Sequence, residues 1–162
     1  MTDVGDDPLA QFMPWLGYFD KMDQADLSVR LDTIQQKKNE WQNRNGLKAA
    51  QGPQWLTVPV RFRFPARIDE VVVNDDAPWR HKHKQALVTN CRRAQAWEAE
   101  EASLDALYAE TGTLLRDING VTIDWLSSRL RIDTENRWAS DLPITEQEPT
   151  QRLVEICRHV GA

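Results

Sequence analysis

Long apolar runs are missing from this chain. Nowhere do about 18 hydrophobic residues follow one another, so the sequence carries no signal for a membrane-spanning helix. Its first residues, MTDVGDDP, are acidic where a secretory signal would be basic, and the chain reads as a cytoplasmic protein without membrane insertion. Cysteine is scarce too. Cys91 and Cys157 cannot build a multi-bridge framework, neither stands at metal-ligand spacing, and both fall in apolar helical patterns that predict buried thiols. His81 and His83 are two residues apart and would face different sides of a helix, so no metal clip is expected, and no cofactor. GxSxG, GxGxxG and P-loop motifs are all absent, which removes the standard nucleophile and nucleotide fingerprints. A basic excess is also lacking: the net charge of −5 argues against wholesale nucleic-acid binding.

What remains suits one globular domain. The chain has 162 residues, 41% hydrophobic and 28% charged, enough to bury a sizeable core. Seven tryptophans fit either that core or an aromatic-lined cleft. Charge is uneven. Arg61, Arg63, Arg67, Arg80, Lys82, Lys84, Arg92 and Arg93 make the middle of the chain basic, while both ends are acidic. That pattern suits an anionic small-molecule ligand better than a duplex, or else marks a solvated mixed surface.

Residues 1–8 read as a disordered leader and 9–162 as a single domain. Pro14 suits the first turn of a helix. Leu27, Val29 and Leu31 alternate with Ser28 and Arg30, predicting a short strand that ends at Asp32. A polar loop follows as far as Pro53, then strands at 55–60 and 68–73, the first cut short by Pro59. Helical patterns begin at Pro78-Trp79 and continue through Leu104–Tyr108 and Leu114–Leu130, with 137–143 irregular between the last of these and a final helix. That helix has Thr150 near its cap and Gly161 as its stop. Strands early and helices late give an α/β class: a Rossmann-like parallel or mixed sheet in the N-terminal half and a helical C-terminal half.

Two groups of side chains suggest chemistry. In the loop after the first strand, Asp32 stands at a strand end, where α/β proteins place binding groups. Lys38 and Arg44 suit a phosphate or carboxylate, and Asn43 and Asn45 suit sugar hydroxyls or amides; Asx turns in a surface loop account for the same asparagines. A lone histidine such as His83 can serve as general acid or base, or simply lie exposed among lysines.

Seven segments, in order, carry a resemblance: FMPWLGYFDKM, LDTIQQKKNEWQNRN, QWLTVPV, APWRHKHKQAL, LLRDINGVTIDWLSSRL, SDLP and TQRLVEICRHVGA. Together they resemble the WbqC-like family, found largely with genes for bacterial O-antigen and other lipopolysaccharide or surface-polysaccharide assembly, and in some secondary-metabolite clusters. The resemblance implies a small-molecule protein of that biosynthesis, an acyl- or aminoacyl-type transferase acting on an amino sugar or similar amine. It places candidate catalytic roles on His83 and Asp32, and substrate-binding roles on Gln35, Lys38, Trp41, Asn43, Arg44, Asn45, Trp79 and Asn119. Asn119 also fits a buried amide bonded to loop backbone. Leu9 and Ala10 stand where the family has Gln and Pro, and members continue beyond the position of Ala162, so both ends are expected to be altered or missing. Those departures support the second expectation, a non-catalytic ligand-binding or scaffold protein.

Overall fold

Leu27, Ser28, Val29 and Arg30 form β1 (Leu27–Arg30), and all four side chains are buried, so the strand is covered on both faces. The computed structural model describes residues 9–109 and 112–162; the expected leader lies outside them. β1 pairs in parallel with β6 (Glu135–Trp138), Leu27 opposite Glu135 and Arg30 opposite Trp138. On its other side Leu9 bridges Leu31, also in parallel, and the Ala10 amide donates to the Leu31 carbonyl at 3.3 Å. One face of β1 packs Leu27, Val29 and Leu31 against Ala139 and Ile156. On the opposite face Arg30, only 3% exposed, reaches Asp124 at 2.5 Å and lies over the Trp138 ring. Polar alternation along β1 therefore reports an ion pair with the helical residue Asp124 on its second face.

Strands elsewhere correct the sequence expectation in detail. Within the predicted polar loop lies β2 (Arg44–Ala49), paired antiparallel with β3 (Gly52–Thr57). Gly52 has φ +115 at the start of the returning strand, a conformation that favours glycine. Pro59 divides the predicted 55–60 strand: β3 ends at Thr57 and β4 (Val60–Arg61) begins after it. Residues 68–73 are not one strand; Ile68–Glu70 is a 3-10 turn, and only β5 (Val72–Val73) is extended, antiparallel to β4. The stretch 137–143, expected to be irregular, begins with the last two residues of β6, the partner of β1.

Five α-helices complete the described residues: α1 (Leu16–Asp23), α2 (Trp79–Cys91), α3 (Trp97–Ala109), α4 (Leu115–Leu130) and α5 (Pro149–Val160). The α1 helix starts two residues after Pro14. Glu148, in place of the expected Thr150, caps α5 by accepting from the Gln151 amide at 2.7 Å, and Gly161 ends it at φ +81. The main core joins Phe12, Val58, Ile68 and Val71 to the inner faces of α2, α3 and α4. A smaller cluster seats Tyr18, Phe19 and Met22 of α1 on Ile123. Cys91 and Cys157 are free and only partly buried. The chain is thus α/β, with a parallel strand pair, most strands in the first half and most helices in the second.

Candidate functional site

Parallel pairing brings the carboxyl ends of β1 and β6 to the same edge, and the residues just past them meet there. Asp32, with no exposed surface, accepts from the Ser140 amide at 3.0 Å and from the Ser140 hydroxyl at 2.6 Å. Arg116 of α4 approaches the same carboxylate at 3.0 Å and also donates to Ser140 Oγ. Burial pushes the Asp32 carboxyl above its usual range, against the opposing pull of the Ser140 bonds and the Arg116 charge. One aspartate therefore ties both strand ends to α4 while holding a proton more readily than an exposed carboxylate does.

Beside this link opens a cavity of about 560 Å³, a size ordinary for a small-molecule site. Leu9, Leu31, Ile34, Pro65, Ala66 and Leu153 give it apolar walls; Thr33, Gln35, Arg67, Glu70 and Arg152 give it polar ones. A smaller cavity of about 90 Å³ shares Thr33, Arg67 and Arg152 with it and reaches Ser140. Arg67 donates through Nε to Asp69 at 2.9 Å, and that bond raises its pKa. Arg152 makes no ion pair among the described residues. It donates instead to the backbone carbonyls of Thr33 at 3.1 Å, Glu146 at 2.9 Å and Gln147 at 3.0 Å. A guanidinium held only by neutral dipoles keeps its full charge for an incoming anion.

The structure separates the sequence-predicted residues into three places. Asp32 and Gln35 lie at the strand-end cleft, Gln35 on its wall. Lys38, Trp41, Asn43, Arg44 and Asn45 belong to the loop and hairpin that follow. Arg44 lies 4.3 Å from the Trp55 ring centre and donates to the Asn39 carbonyl, and Trp41 and Trp55, each about half exposed, stand 5.6 Å apart. Asn43 donates to the Val58 carbonyl at 2.9 Å while its own carbonyl accepts from the Val58 amide. Asn45 donates to the Met13 carbonyl. Met13 has φ +46, unusual for its type, and is held on its other side by Thr122 Oγ1, which accepts from its amide at 3.2 Å. Lys38 is exposed.

His83, Trp79 and Asn119 lie inside. His83 is 4% exposed, with Nε2 3.1 Å from the Thr57 carbonyl and Nδ1 3.4 Å from the Tyr108 hydroxyl, and Phe12, Trp79 and Tyr108 surround its ring. Burial pushes its pKa down to about 4. The ring is thus neutral at pH 7, with Nε2–H donating to Thr57; burial likewise raises the Tyr108 hydroxyl. Trp79 Nε1 donates to Asp75 at 3.0 Å. Asn119, fully buried, donates to the carbonyls of Ala10 at 3.1 Å and Gln42 at 2.9 Å. Residue-level reasoning missed Ser140, Arg116 and Arg152, which stand in the quoted segments SDLP, LLRDINGVTIDWLSSRL and TQRLVEICRHVGA, and named Arg67 only as part of the basic middle of the chain. No group of His, Cys, Asp and Glu among the described residues is arranged to hold a metal ion, and no helix there is long and apolar enough to cross a membrane.

Comparison with known proteins places this arrangement in a family context. The model of the WbqC-like protein family matches residues 10–162. An uncharacterized protein of Mycobacterium tuberculosis is 33% identical over 158 residues, covering 94% of this chain and 67% of that protein. No solved structure matches.

Proposed function

The chain belongs to the WbqC-like protein family, and from that membership we propose that it binds a polar, sugar-like or anionic small molecule at the cleft past β1 and β6. The observation that carries this is the position of the 560 Å³ cavity, at the carboxyl edge of the parallel pair with Arg152, which makes no ion pair among the described residues, on its wall. Its finer form is a transferase of bacterial surface-glycan or secondary-metabolite biosynthesis, moving an acyl or aminoacyl group to an amino sugar or similar amine. As the amine nitrogen bonds to the acyl carbon, the bond from that carbon to the donor's leaving group breaks. The leaving group departs with the bonding pair and takes up a proton. The amine nitrogen must shed one of its own. Asp32, with its raised pKa, accepts that proton by way of the Ser140 hydroxyl bonded to it, and Arg116 steadies the carboxylate between events. His83 takes no part in this scheme, because its ring is enclosed in the core.

Titration calorimetry against nucleotide-activated amino sugars and acyl donors tests the reading. One of them should bind, and Ser140→Ala should lower turnover far more than affinity. The proposal fails if no candidate binds, or if Ser140→Ala and Arg152→Gln leave binding and turnover unchanged. A second reading, ligand binding without catalysis, has its own support: both Asp32 oxygens are already occupied. Binding with no turnover of any donor–amine pair would select it.

A further inference from the structure

The wall chemistry of the main cavity narrows the ligand class. Most of the surface lining it is apolar, contributed by Leu9, Leu31, Ile34, Ala66 and Leu153 among others. A sugar ring alone would leave its hydroxyls facing these side chains without partners, which is costly. A hydrocarbon chain would satisfy them. Leu153 is 46% exposed although it lies on the inner side of α5, so apolar surface stands open at the mouth. Of the polar groups, Thr33, Arg67 and Arg152 stand where the two cavities meet, and Gln35 and Glu70 line the main cavity only. Of these, Arg67 is already neutralised by Asp69, and the Glu70 carboxylate accepts from the Arg67 amide at 2.8 Å. Arg152 is then the cation on this wall without a carboxylate partner among the described residues, while the Glu70 carboxylate is held by a backbone amide.

We propose that this cleft holds an amphiphile, a linear acyl chain lying along Leu31, Ile34 and Leu153 with an anionic or carbonyl head at Arg152. The inference rests on the binding reading above and deepens it by naming the donor class: an acyl group with a hydrocarbon tail, rather than a short aminoacyl group. Ordinary hydrophobic transfer fixes the expected signature, because each buried methylene tightens binding by about fourfold.

The test is calorimetric titration of the full chain with octanoate, decanoate and dodecanoate below their micellar concentrations, alongside the matching alcohols. Affinity should rise about fourfold per methylene until the cavity is filled, with carboxylates bound about tenfold tighter than alcohols. Leu153→Glu, at a half-exposed position that folding tolerates, should abolish the chain-length dependence. Arg152→Gln should abolish the preference for carboxylates and Arg152→Lys restore part of it. Affinity independent of chain length, or equal binding by Leu153→Glu, overturns the proposal. So does a self-associated chain that binds no alkyl probe and that Leu153→Glu makes monomeric, since a second copy would then cover the cleft. If an activated amino sugar binds while dodecanoate does not, the acyl assignment falls and the binding reading stands; if neither binds, both fall.

Discussion

Protonating His83 should destabilise this protein, and the pH window follows from where the ring sits. In the folded chain burial lowers its pKa to about 4, against the ordinary 6.5, with the Thr57 carbonyl pulling weakly the other way. Between those values the unfolded chain carries a proton on this ring and the folded chain does not. The unfolded state then binds more protons, so stability rises with pH across the window and is lost as pH falls from about 6.5 towards 4. At about 1.4 kcal/mol per pH unit the full loss is about 3 kcal/mol, a large part of the stability of an ordinary domain. Urea unfolding at half-unit pH steps, followed by tryptophan fluorescence, measures it directly. His83→Gln supplies the control, since glutamine still offers Thr57 an amide donor and cannot titrate here. Asp32, whose pKa burial raises, contributes a slope of opposite sign and does so in both proteins, so the difference between them isolates the histidine. A difference between wild type and His83→Gln that stays flat from pH 6.5 to 4 would refute the reasoning.

Three further outcomes are expected. Asn119→Ala strips partners from two buried carbonyls and should cost about 2–4 kcal/mol in urea unfolding, while binding at the cleft persists in the folded fraction. Gly120→Ala gains helix propensity of about 1 kcal/mol, but its new methyl would lie 2.8 Å from the Trp138 ring; net destabilisation of about 1–3 kcal/mol is expected by calorimetry, and a stabilised variant would count against the packing described. Asp32→Ala leaves Arg116 and both Ser140 donors without their acceptor and should cost about 3 kcal/mol or more in thermal unfolding, with Asp32→Asn milder.

Periodicity served well where a segment met its surroundings on one face. Apolar positions along α4 and α5 and the stop at Gly161 could be read directly, because helices present one stripe to the core. It served poorly where cover came from elsewhere in the chain. Glu135–Trp138 reads as polar because its strand borrows burial from β1 and α4, and Arg44–Ala49 forms a hairpin through its partner and not through its own hydrophobicity. Among the candidate residues, Asp32 was legible from its place at a strand end. Asn43, Asn45 and Asn119 were noticed for the right property, an amide able to bond both ways, yet each spends that amide on backbone carbonyls. Sequence cannot distinguish an amide facing a ligand from one facing a loop. Arg152 escaped because nothing local shows that a basic residue on an amphipathic helix lacks a carboxylate.

The pairing of β1 with β6 also governs when the cleft can come into being. Its walls are joined by bonds of very long range: Arg152 reaches Thr33 across 119 positions, and Ser140 reaches Asp32 across 108. Contacts of such separation close slowly, since the intervening chain must surrender its freedom before they form. The hairpin β2–β3 and the helices can form locally, but the cleft waits for the last helix to return to the first strand. During synthesis, then, the residues that line this cavity cannot all meet until α5 has been made, long after β1 and the hairpin.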